Sequence, residues 1–134
     1  MGKSSFSVDL ELKLEASVNP SESPEKVICA IMNICGDCSP EFRYGSLVVC
    51  SCFAVKCLRI VYDQIRSRSA MGVLRRMLTD NRISNTTWFL LNKQAAAAGI
   101  VVLIEDEIES PLGPIRIKII SDELDNLIDW LAPL

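Results

Sequence analysis

From Phe6 to Val18 the chain alternates without a break: Phe6, Val8, Leu10, Leu12, Leu14, Ala16 and Val18 against Ser7, Asp9, Glu11, Lys13, Glu15 and Ser17. A period of two predicts a strand with one buried face. Thirteen residues at about 3.4 Å each reach about 44 Å, more than most strands, so one end is expected to overhang its sheet. Asn19 and Pro20 end the pattern. Ser23 as cap, Pro24 at the first helical position and Glu25 in the first turn then open a helix that Gly36 stops, with Val27, Ile28, Ile31, Ile34 and Cys35 as its apolar stripe. Phe42 to Cys52 reads as a second strand, Val48, Cys50 and Cys52 facing one way, Leu47, Val49 and Ser51 the other, and Gly45 marking a bulge.

Two amphipathic helices follow. Ala54 to Arg68 puts Ala54, Leu58, Val61, Tyr62 and Ile65 on one stripe and Lys56, Arg59, Asp63 and Arg66 on the other; Ser69 to Asp80 turns Ala70, Leu74, Met77 and Leu78 inward and Arg75 and Arg76 outward. Beyond the turn at Asn81 to Asn85, strands are predicted at Thr86 to Leu91, Ile100 to Glu107 and Ile115 to Ile120. An Ala-rich helical turn separates the first two, and Ser110-Pro111-Leu112-Gly113-Pro114 reverses the chain between the others, which predicts a hairpin. Ser121 caps a last helix burying Leu124, Leu127, Ile128 and Leu131. This order predicts a single α+β domain over residues 1–134, a mainly antiparallel sheet with helices packed on one face. The other face would carry Asp9, Glu11, Lys13 and Glu15 beside Arg116 and Lys118, compensating one another if the first and last strands are neighbours.

The net charge of −3 conceals a split. Residues 43–93 hold nine Lys or Arg against Asp63 and Asp80, whereas the remainder has five basic and fifteen acidic residues. Such asymmetry suggests a nucleic-acid partner for the basic part, the plain alternative being ordinary helix solvation. No apolar run approaches the ~20 residues of a membrane helix, and Met1 to Ser5 leads into the alternation without a signal-like apolar stretch, so the location is read as cytoplasmic.

The chain contains no histidine, which excludes Ser-His-Asp and Cys-His nucleophilic sites and imidazole zinc sites. No glycine-rich phosphate loop is present. No catalytic residue, cofactor, metal or small-molecule ligand is therefore assigned. Glu105, Asp106, Glu107 and Glu109 have the chemistry for Mg²⁺ but sit at a turn, where carboxylates are ordinarily solvated. Six cysteines, at 29, 35, 38, 50, 52 and 57, leave three readings. Cys35-Gly36-Asp37-Cys38 has redox spacing but lies at a helix end whose dipole disfavours thiolate. A zinc site of Cys35, Cys38, Cys50 and Cys52 lacks a second C-x-x-C knuckle. Buried thiols, or a disulfide such as one using Cys38, are preferred. Asn92, Lys93 and Gln94 stand at a strand-to-helix junction, where Lys93 and free N–H groups suit an anion, or where Asn92 is simply a cap and its neighbours exposed. Trp88 either stacks on a base or packs against a helix.

Asn92-Lys93-Gln94-Ala95-Ala96, Ser110-Pro111-Leu112-Gly113-Pro114-Ile115 and the ending Asp129-Trp130-Leu131-Ala132-Pro133 resemble the signature of the archaeal uncharacterised protein family 0201, as do Val18-Asn19-Pro20, Glu22 and Glu25. The resemblance covers most of the chain. It implies a fold similar to large-ribosomal-subunit protein five, which binds RNA, and a thermophilic archaeal source, which it allows, would make intracellular disulfides unsurprising. Together with the basic helices it points to a non-enzymatic RNA-binding or ribonucleoprotein-associated module contacting the backbone through Lys56, Arg59, Arg66, Arg75 and Arg76, with Lys93 nearby. Low aromatic content, 6%, excludes a base-stacking sheet platform. The alternative is a structural or protein-interaction subunit without nucleic acid, and a homodimer is expected because the long first strand and an open edge suit a second copy.

Overall fold

The computed structural model describes residues 6–134, so the reading of Met1 to Ser5 lies outside the described residues. In β1 (Glu11–Ser17) the alternation holds residue by residue: Leu12, Leu14 and Ala16 are buried, while Lys13, Glu15 and Ser17 are exposed. β3 (Leu47–Cys52) pairs with one edge of β1 and β6 (Pro114–Ile120) with the other, both antiparallel. β4 (Thr86–Asn92) lies beyond β6, and β2 (Glu41–Arg43) and β5 (Leu103–Ile104) close the edges in the order β2-β3-β1-β6-β4-β5. Inner rows such as Cys50, Leu14, Ile117 and Phe89 follow from that register. They form one core with Val27, Ile31 and Ile34 of α1 (Pro24–Ile34), Val61 and Ile65 of α2 (Arg59–Ser67), Leu74 and Leu78 of α3 (Met71–Asp80), Ala96 of α4 (Lys93–Ala97) and Leu124, Leu127 and Leu131 of α5 (Leu124–Leu131). The fold is α+β, with the apolar helix stripes gathered against one sheet face.

Several elements differ from expectation. Phe42 to Cys52 is not one strand but a hairpin: Tyr44 and Gly45 have φ of 57° and 71°, and Ser46 N–H donates to the Arg43 carbonyl at 3.1 Å. Gly45 thus makes a turn rather than a bulge, since it enters the left-handed region freely. The predicted hairpin around Ser110 to Pro114 is also absent, for β5 pairs with β4 alone and β4 separates it from β6. Seven residues of β4 offer β6 far more cross-strand pairs than the two of β5. Residues 6–10 overhang the sheet, as their length required, and are tied down differently: Trp130 stacks on Phe6 and Tyr62 at centroid distances of 4.7 and 4.5 Å.

On the outer face the charges compensate only in part. β1 and β6 are neighbours, but Lys13 stands opposite Lys118, and Arg116 holds Glu107 at 2.7 Å instead of the facing Glu15. Trp88 lies on this outer face, opposite Lys118, with the Arg116 guanidinium 4.7 Å from its ring centroid; it does not pack against a helix. Cys38 is bridged to Cys50 and Cys52 to Cys57, leaving Cys29 exposed and Cys35 buried as thiols. No described helix is long and apolar enough to cross a membrane.

Candidate functional site

The sequence pieces singled out at positions 19–22, 92–94 and 110–115 meet at one end of the sheet. Asn92 caps α4 by accepting the Ala95 N–H at 2.8 Å. Lys93 follows at the first helical position, where a long side chain leans back toward the helix start. Its ammonium donates to Ser17 O at 2.7 Å, Leu112 O at 2.6 Å and Glu22 Oε1 at 2.8 Å. Glu22 Oε1 also accepts from the Asn19 backbone N–H and from Asn19 Nδ2, each at 2.9 Å, and Nδ2 donates onward to Leu112 O at 2.7 Å. Ser110 closes the neighbouring turn by donating to Gly113 O at 2.6 Å. Gly113, at φ +90°, would place a Cβ 2.9 Å from Ser17 Oγ, so the chain can pass there only as glycine.

Burial alone would raise the Glu22 carboxyl, but the Asn19 N–H, the Lys93 ammonium and the Asn19 amide outweigh it and hold the group below the ordinary carboxylate range. Lys93 is 2% exposed and all three of its donors are used. It is therefore neither the exposed first-turn residue nor the anion contact that its position suggested: the cluster fastens the end of β1 to two loops and α4. A cleft of about 340 Å³ opens beside it, lined by Ser21, Lys26, Val27, Ala30, Gln94 and Leu112 among others. A hydrophilic triplet at a strand end gave no sign that its lysine turns inward; that depends on carbonyls delivered from residues 17 and 112.

The expected basic face is divided in the same way. Arg66 donates to the Trp130 and Leu131 carbonyls at 2.9 and 3.3 Å, its guanidinium 3.5 Å from the Tyr62 ring centroid. Arg75 donates to Ala132 O at 3.1 Å and meets Asp129 at 2.8 Å. Both arginines thus satisfy carbonyls at the C-terminal end of α5, where positive charge is favoured. They clamp a helix. Lys56 is exposed, Arg59 is exposed with Asp63 at 3.5 Å, and Arg76 is exposed with Glu105 at 2.7 Å. Arg68, overlooked because it falls at the helix end, is exposed as well. Of the acidic stretch, Glu105 and Glu107 pair with Arg76 and Arg116, and Asp106 caps the Ile108 N–H at 3.1 Å.

No family model matches the chain. A UPF0201 protein of Sulfurisphaera tokodaii is 37% identical over 123 residues, covering 90% of this chain and 85% of the relative. The chain belongs to the UPF0201 family. A second UPF0201 protein, from Methanothermobacter thermautotrophicus, is 37% identical over 92% of this chain and 91% of its own length. Among solved structures, that of the Methanococcus jannaschii UPF0201 protein matches with a TM-score of 0.77 and 29% identity over 92% of this chain and 93% of that one. Another UPF0201 crystal structure matches with a TM-score of 0.80 at 22% identity, covering 92% and 94%, a likeness of fold. The UPF0201 relatives named with a source are archaeal.

Proposed function

We propose that this UPF0201 chain is a non-enzymatic module that associates with RNA through the phosphate backbone. The observation that carries the reading is the set of exposed cations on the outward sides of residues 55–76: Lys56, Arg59, Arg68 and Arg76. Two of them hold surface ion pairs, Arg59 with Asp63 and Arg76 with Glu105, each worth at most about 1 kcal/mol and readily exchanged for a phosphate contact. Arg66, Arg75 and Lys93 are left out of the surface because their donors serve protein carbonyls and carboxylates. With about four phosphates engaged on single-stranded RNA, log affinity should fall with log salt at a slope near −3. Replacing Lys56, Arg59, Arg68 and Arg76 by Glu should abolish a salt-dependent anisotropy change of labelled RNA while leaving the circular dichroism of the fold unaltered. No such change in the wild type at about 10–100 µM protein, the range of ordinary non-specific binding, would remove the RNA reading.

The second reading, an interaction subunit that pairs with its own copy, rests on a different observation. Among the described residues β2 is a free edge strand, and Phe42 within it and Tyr44 just after it are 43% and 87% exposed; unpaired strand edges with apolar side chains favour strand addition. Light scattering should then give twice the 14.9 kDa chain mass, and Tyr44→Lys should return the monomer. A monomer in the wild type at micromolar concentration would end this reading.

A further inference from the structure

Cys35, at the C-cap of α1, Cys52, the last residue of β3, and Cys57, in the 3₁₀ turn Val55–Leu58, come from three separate elements of the fold. Their sulfur atoms all lie within 4.8 Å of one another, and the residues are 1%, 9% and 3% exposed. The set of Cys35, Cys38, Cys50 and Cys52 weighed from the sequence is not the one that folding assembles: Cys38 and Cys50 are joined to each other, and Cys57 takes their place. We propose that Cys35, Cys52 and Cys57, once the Cys52–Cys57 bridge is reduced, bind one thiophilic divalent cation of the zinc class.

The chemistry balances in two steps. A small dithiol reductant delivers two electrons and two protons to the Cys52–Cys57 bond, giving two thiols and leaving the reductant as its own disulfide. The cation then binds three thiolates, displacing three protons to solvent and leaving the centre with a net charge of −1. Tetrahedral zinc holds sulfur at about 2.3 Å, which sets ligand sulfurs about 3.8 Å apart, so the group needs only side-chain adjustment to close on an ion. The carbonyl end of α1, unfavourable to a bare thiolate, is favourable to a cation. Among the described residues the group has three members, which leaves a fourth tetrahedral position for water or a small added ligand.

The test uses the full chain, reduced with a dithiol and freed of it under anaerobic conditions. Titration with Co²⁺ should produce a thiolate-to-metal charge-transfer band saturating at one equivalent per chain, with protons released alongside. Cys35→Ser and Cys57→Ser should each lose the band, whereas Cys29→Ser and Cys38→Ser should keep it. Because a buried substitution can compromise folding, X-ray absorption of the zinc-loaded wild type supplies an independent reading, expected to count three sulfur neighbours. Absence of the band in fully reduced protein, its survival in Cys35→Ser, or a count below three sulfurs would overturn the proposal.

Discussion

Lys93→Met is expected to destabilise the fold by about 3–5 kcal/mol, the usual consequence of leaving one member of a buried ion pair without its partner. The loss would exceed that of a surface ion pair, because Lys93 and Glu22 have side chains only 3% and 13% exposed and the Ser17 carbonyl loses the lysine donor at the same time, while Leu112 O keeps only Asn19 Nδ2. Methionine preserves the apolar stem, so little of the effect would come from a cavity. Urea denaturation at neutral pH measures it, and a change under about 1 kcal/mol would show that the three acceptors find other donors. The pair also makes stability depend on pH. The Glu22 carboxyl is held below its ordinary value in the folded state, so its contribution is complete above the unfolded carboxylate value of about 4.3 and is lost as pH falls from there through the folded value. Glu22→Gln should flatten that acid limb; an unchanged limb would assign acid unfolding to other carboxylates.

Leu12→Ala is expected to cost about 2–5 kcal/mol. Leu12 is fully buried in the middle of the sheet, between Cys52 on one side and Ile119 on the other, where neighbouring strands cannot collapse into the void without breaking their ladders. Lys13→Ala, one residue along and exposed, should stay within about 0.5 kcal/mol. Equal effects at the two positions, by the same denaturation measurement, would contradict the assignment of faces.

What the sequence disclosed and what it withheld divide along a physical line. Periodicity reports which side of an element is apolar, and so Leu12, Val61, Leu74 and Leu127 could be placed in the core before any coordinates. Pairing partners are less legible. Ile115 to Ile120 has edges acceptable to several strands, and the choice of β4 over β5 depends on the number of cross-strand pairs each can offer. Long polar side chains are hardest to read. Arg66 and Arg75 occupy the outward stripe of their helices as expected, yet their guanidinium groups reach carbonyls at the end of α5, far along the chain, because long stems span such distances while their heads seek acceptors. Of the candidate surface, Lys56, Arg59 and Arg76 kept their expected exposure, and Lys93 did not. The grouping of Cys57 with Cys35 was hidden as well, since only the folded chain brings the end of α1 and the 3₁₀ turn after β3 together.

The position of β1 bears on how the chain reaches this state. One of its edges is filled by β3, close behind it in sequence, but the other waits for β6, which begins only at Pro114. A ribosome must therefore deliver the chain as far as Ile120 before the central strand has both neighbours, and during that interval an apolar strand stands half-paired. The closing contact spans about a hundred residues, and loop-closure entropy must be met before it is rewarded. Final consolidation of the sheet thus waits for β6 by geometry, and the nascent chain has most need of a chaperone's cover along the β6-facing edge of β1.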